Sequence, residues 1–104
     1  MIELGWTSIL IPEKYGGSEF GLAGISVVLQ ELGKTLVPSP LFATGVLGVT
    51  LINQMGSESQ KEELLGKILE GKITTALAID EGSHHEPGNT ELTAEKNNDG
   101  WVLN

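Results

Sequence analysis

The sequence predicts a mainly α chain with a β tail: three helices within residues 1–72, followed by strands within 73–104. Three observations lead there. Apolar residues recur at helical spacing along much of the first 70 positions, and the period falls to two after Lys72. An Asp-Gly pair then separates two short apolar runs near the C-terminus, a pattern that favours a hairpin. The charge divides at the same boundary. Residues 1–72 carry five Lys and eight acids, a net −3, whereas residues 73–104 carry one Lys and six acids, a net −5. The two parts read as separate domains.

The first element is the run Ile9-Leu10-Ile11, stopped by Pro12 and the turn Gly16-Gly17. Its length suits a buried extended segment. Leu22, Ile25, Leu29, Leu32 and Leu36 then mark one face of an amphipathic helix from about Phe20 to Leu36, with Pro38 and Pro40 beyond its end. A second helix, about Leu41 to Met55, has no charged residue anywhere on its surface. A helix apolar all round must be buried all round. One amphipathic neighbour cannot cover it, so a larger protein or an oligomer is expected around it.

Helix three has a full set of end signals. Ser57 and Gln60 form a capping box, Glu58 lies in the first turn, and Gly71 suits the left-handed position after the last turn. From Ile73 to Ile79 the alternation reads as a strand buried on both faces. A polar loop, Glu81 to Thr90, leads to a hairpin in which Leu92 to Lys96 and Trp101 to Leu103 flank Asn97-Asn98-Asp99-Gly100.

Composition narrows the function classes. The 104 residues include six Lys, no Arg and fourteen acids, a net −8, so no surplus cation is present to neutralise nucleic-acid phosphates or an anionic membrane surface. Pro38, Pro40, Asn53 and Gln54 interrupt the one long uncharged stretch, which is too short in its apolar part to span a bilayer. No signal peptide is evident at Met1–Trp6. A soluble, cytoplasmic chain is expected. The absence of Cys removes disulfides and thiolate chemistry.

Few residues offer chemistry on their own. Gly16-Gly17 lacks the spacing of a phosphate loop. His84-His85-Glu86 is the one grouping of metal-ligand type, but neighbours in an extended chain point to opposite sides and no other His or Cys exists to complete a zinc site. No metal is expected. Asp80-Glu81 closes the expected strand, where it reads as a solvated strand end more readily than as an acid/base pair.

In order and spacing, three stretches resemble the acyl-CoA dehydrogenase family of flavoenzymes. They are Leu4-Gly5-Trp6 through Ile11-Pro12-Glu13 to Tyr15-Gly16-Gly17; Leu29-Gln30-Glu31-Leu32-Gly33-Lys34; and Gly56-Ser57-Glu58-Ser59-Gln60-Lys61 running on to Ala76-Leu77-Ala78-Ile79-Asp80-Glu81. The closing Asp99-Gly100-Trp101-Val102-Leu103-Asn104 is similar to the family's β-domain hairpin. The resemblance implies three helices of an acyl-CoA dehydrogenase-like helical domain, followed by the first strands of a β-barrel domain that is truncated here. It also implies α,β-dehydrogenation of an acyl-CoA thioester, in which a glutamate base removes a proton and FAD accepts the hydride. That glutamate belongs to a C-terminal helical domain, so no catalytic residue is expected in this chain.

Site residues follow from the resemblance by position. The flavin-facing strand end corresponds to Ala78, Ile79 and Asp80, with Asp80 standing where the family has a hydroxyl residue and Gly82 where it has proline. An ionised carboxylate accepts hydrogen bonds and cannot donate them, so the side-chain contact to flavin is not preserved. Acyl-tail positions correspond to Pro40, Ala43 and Thr44, whose small size leaves room for a bulky or long acyl group. Without Arg, bidentate recognition of CoA or FAD phosphates falls to residues outside the chain. The expected partners are the acyl-CoA substrate and further subunits, in a homo- or hetero-oligomer. A non-catalytic subunit using the same helices is the alternative.

Overall fold

A computed structural model describes residues 3–104. Its helical part begins with two 3-10 turns, Trp6–Ser8 and Glu13–Tyr15, followed by helix α1, Gly21–Lys34. A π-helical segment, Phe42–Gly48, then runs directly into α2, Val49–Met55, and α3 spans Glu58–Leu69. The tail is an antiparallel hairpin of β1, Ala94–Asn97, and β2, Gly100–Leu103.

The N-terminal segment is the wedge around which the core forms. On one side Ile11 packs with Val49, Leu65 and Ile68, and on the other Ile9 packs with Ile25 and Leu41. Leu10 touches both groups. This run is not the extended segment that its composition suggested: Ile9 is helical at φ −57°, ψ −40°. Among the described residues no strand pairs with it, and its polar backbone is satisfied by turns and by a short return of the chain. The amides of Ser18, Phe20 and Glu19 donate to the carbonyls of Ser8, Ile9 and Ile11 at 2.9, 2.9 and 3.2 Å. Gly16 and Gly17 lie in the turn that makes this return possible, donating to Glu13 and Pro12.

Helix α1 buries Ile25 and leaves Leu22 exposed, and it stops at Lys34, short of the expected end: Leu36 turns away at φ 51° and lies open to solvent. The second helix is likewise covered on one side. Leu41, Thr44, Gly45, Gly48 and Val49 face inward, while Phe42, Leu51 and Met55 stay open to solvent.

Helix α3 starts as its end signals require. Ser57 Oγ accepts from the Gln60 amide at 3.3 Å, and Gln60 Oε1 accepts from the Ser57 amide at 2.9 Å. Gly71 follows the helix at φ 69°, a conformation that costs glycine little because it has no Cβ.

The expected strand from Ile73 to Ile79 does not form. Leu77 and Ile79 are about 40% exposed, and no neighbouring strand pairs with this run among the described residues. Alternating side chains supply only the faces of a strand; its ladder needs a second chain segment. The hairpin does form, with Ala94 opposite Leu103, Glu95 opposite Val102, Lys96 opposite Trp101 and Asn97 opposite Gly100. Its two-residue loop is Asn98-Asp99, so Gly100 opens β2 and is not a central turn residue.

Candidate functional site

Pro40, Ala43 and Thr44 lie together at the start of the second helix, where the chain leaving α3 crosses it. The Thr44 amide donates to the Pro40 carbonyl at 2.8 Å, which starts the turn. Thr44 Oγ1 accepts from the Thr75 amide at 3.0 Å and donates to the Thr75 carbonyl at 3.3 Å. Thr75 Oγ1 reaches the Ala43 carbonyl at 3.5 Å. Thr44 is 3% exposed, so this polar exchange is shielded from water.

Beside the exchange, Thr7, Pro40, Thr44, Ile68, Ile73 and Thr74 border a pocket of about 30 Å³. That volume is on the scale of one water or one small apolar group. A wider, apolar groove of about 340 Å³ opens on the other side of the helix start, between Leu29, Leu32 and Leu36 of the first helical region and Leu41 and Phe42. Among the expected acyl-tail positions, Pro40 and Thr44 border the small pocket and none borders the groove.

Ala78, Ile79 and Asp80 lie in the irregular exposed segment between α3 and the hairpin. The Asp80 carboxylate is engaged at both oxygens: Oδ2 meets His85 Nδ1 at 2.9 Å, and Oδ1 accepts from the Glu86 amide at 3.0 Å. Glu81 does the same further along, with Oε2 and Oε1 accepting from the amides of Glu91 at 2.8 Å and Leu92 at 2.9 Å. These bonds turn residues 80–92 into a closed polar loop. FAD is the group that the sequence resemblance implies at this position, and the Asp80 side chain does not fit it. The carboxylate offers no donor, and its acceptor oxygens already serve its own loop. His84 takes no part in the pair, and no group of three or more His, Asp or Glu among the described residues is placed to hold a metal ion.

A second charged cluster ties the N-terminal segment to α3. Glu58 Oε2 accepts from the Tyr15 hydroxyl at 2.7 Å and from Lys14 Nζ at 3.3 Å, while Glu58 Oε1 meets Lys61 Nζ at 3.4 Å. The Tyr15 bond, with help from Lys14 and Lys61, holds the Glu58 carboxyl down to about 2. Lys14, drawn by Tyr15 and Glu58, is raised above the ordinary lysine value. Its ammonium also stands 4.5 Å from the centre of the Tyr15 ring.

The resemblance marks Thr44 and Asp80 as candidate site residues and points to no partner for either. Thr75 and His85 are joined to them by the fold, over 31 and 5 residues, and no spacing rule couples such pairs. No helix among the described residues is long and apolar enough to cross a membrane.

Comparison with known proteins gives a consistent picture. A family model described as acyl-CoA dehydrogenase, N-terminal domain, matches residues 1–72. Acyl-CoA dehydrogenase IpdE2 of Mycolicibacterium smegmatis is 42% identical over 62 residues, covering 60% of this chain and 20% of that protein. Acyl-CoA dehydrogenase FadE12 of Mycobacterium tuberculosis is 30% identical over 110 residues, covering 97% and 26%. Mitochondrial isovaleryl-CoA dehydrogenase of Bos taurus is 34% identical over 104 residues, covering 97% and 24%. The chain thus spans about a quarter of the length of such relatives. No solved structure matches it.

Proposed function

The chain belongs to the acyl-CoA dehydrogenase family, and on that premise we propose that it supplies the helical N-terminal part of an FAD-dependent oxidoreductase acting on acyl-CoA thioesters. The observation that carries this reading is the family match over residues 1–72, the part of the chain that holds the two 3-10 turns, the helices and the capping box. Residues 1–72 are read as part of the helical domain and 73–104 as the start of a middle β domain. The change from helix to hairpin supports that division. Within it, Pro40, Ala43 and Thr44 are assigned to the acyl side and the backbone of Ala78 and Ile79 to the cofactor side. No catalytic base is assigned to this chain, so activity is a property of a longer protein or an assembly.

Exposed apolar residues support the assembly. Phe42, Leu51 and Met55 on the second helix, and Trp101 and Leu103 on the hairpin, lie open in the single chain. Covering such surface is the ordinary reason for a domain to meet a neighbour. A second reading, a non-catalytic subunit paired with a complete one, is favoured by the engagement of Asp80 with its own loop.

The deciding experiment follows the reading frame past the codon for Asn104 and purifies the natural product. The proposal expects a yellow protein whose flavin absorbance bleaches when an acyl-CoA is added. A colourless product that neither bleaches nor reduces an acceptor dye overturns it. If that colourless product co-purifies with a separate flavin-bearing chain, the non-catalytic reading takes its place.

A further inference from the structure

We propose that Asp80 is the clasp of its own loop and is not a flavin contact. The inference rests on the loop's bonds and stands apart from the family's chemistry. One side chain meets two donors facing it from adjacent residues, the His85 ring and the Glu86 amide. The two bonds fall on different oxygens of the carboxylate, Oδ2 and Oδ1, whereas Ser or Thr would have to take both on one uncharged oxygen. That difference gives a physical reason for a carboxylate here. Bonds to an ionised acceptor are about twice as strong as neutral ones, which suits a loop with little apolar packing.

The neighbouring residue completes the device. Asp80 ties down the near half of the loop at residues 85–86, and Glu81 ties down the far half at residues 91–92, just before β1. Two consecutive carboxylates therefore set the path of the chain into the hairpin. The Asp80 side chain is 30% exposed against 75% for His85, as befits the inner partner of the pair. An ionised carboxylate only accepts, so the contact is a hydrogen bond in the ring form that has its hydrogen on His85 Nδ1.

The test is NMR on the whole 104-residue chain, comparing the unaltered protein with Asp80→Ala, Asp80→Thr and Glu81→Gln. Asp80→Ala is expected to move the Glu86 amide proton upfield, to speed its exchange about tenfold and to shift the His85 ring away from the Nδ1–H tautomer. Asp80→Thr is expected to do the same to a lesser degree, because its one uncharged oxygen replaces two charged ones. Glu81→Gln is expected to change the Glu91 and Leu92 amides while leaving Glu86 alone. Unchanged helical circular dichroism separates these local effects from unfolding. Titration with FAD is expected to leave the Asp80 carboxyl resonance where it is. Two outcomes overturn the proposal: a Glu86 amide and His85 ring indifferent to Asp80→Ala, or a shift of the Asp80 carboxyl resonance on addition of FAD. None of these readouts needs turnover, so their failure is distinct from failure of the functional reading.

Discussion

Thr44 holds Thr75 as a neighbouring strand would. A single hydroxyl accepts from the residue 75 amide and donates to its carbonyl, although 31 residues separate the two in sequence. The bond pair anchors the chain at the point where it leaves the helical part. Thr44→Val keeps the shape and removes both bonds, leaving a shielded amide unpaired. A loss of about 1–3 kcal/mol in unfolding free energy is expected, measured by urea denaturation. Thr44→Ser, which keeps the hydroxyl, is expected to lose less.

Gly48 reverses a familiar rule. Replacing a mid-helix glycine by alanine ordinarily stabilises a helix by about 0.5–1 kcal/mol. Here a Cβ would overlap Thr75 Oγ1, so Gly48→Ala is expected to destabilise the chain by about 1–3 kcal/mol. Adding Thr75→Ala removes the obstructing hydroxyl. In the double variant the alanine at 48 is expected to cost less than it does alone, a coupling that a double-mutant cycle on thermal unfolding measures.

Acid should act through Glu58. Its carboxyl is held at about 2, against an ordinary value of 4.5, chiefly by the Tyr15 hydroxyl and then by Lys14 and Lys61. A carboxyl depressed on folding contributes stability above its unfolded value and loses that contribution as pH falls through the folded value. The window here runs from about pH 4.5 down to about 2. Tyr15→Phe removes the leading donor, so the Glu58 titration, followed by carboxyl carbon NMR, is expected to move upward and the window to narrow.

The cap of α3 gives a simpler expectation. Ser57→Ala deletes the acceptor for the Gln60 amide and is expected to cost about 1 kcal/mol in chemical denaturation. Gln60→Ala on that background should add little beyond its own small bond, since the two side chains act as one box.

What the sequence made legible were the features set by neighbours along the chain. Helix α1, the capping box, the left-handed Gly71 and the hairpin depend on residues a few positions apart, and each was read from its spacing. The run Ile9-Leu10-Ile11 predicts burial, which holds for Ile9 and Ile11, but not a conformation, because a short apolar run fits a strand or a turn equally well. Ile73 to Ile79 shows the converse: the pattern of a strand is present and the pairing partner is not. For the candidate site, Thr44 and Asp80 were marked by resemblance, while the bonds that Thr75, His85 and Glu86 make to them arise only from the folded path.

The exposed stretch between α3 and the hairpin also decides where the chain can be cut. Proteases need an accessible backbone, and residues 76–92 offer one outside regular secondary structure. Trypsin finds no lysine between Lys72 and Lys96, but an enzyme specific for glutamate meets Glu81, Glu86 and Glu91. Brief digestion with the second enzyme is expected to release the hairpin and leave the helical piece whole, as read by mass spectrometry. Of the three, the bond after Glu81, whose carboxylate is tied to two amides, is expected to be cleaved last.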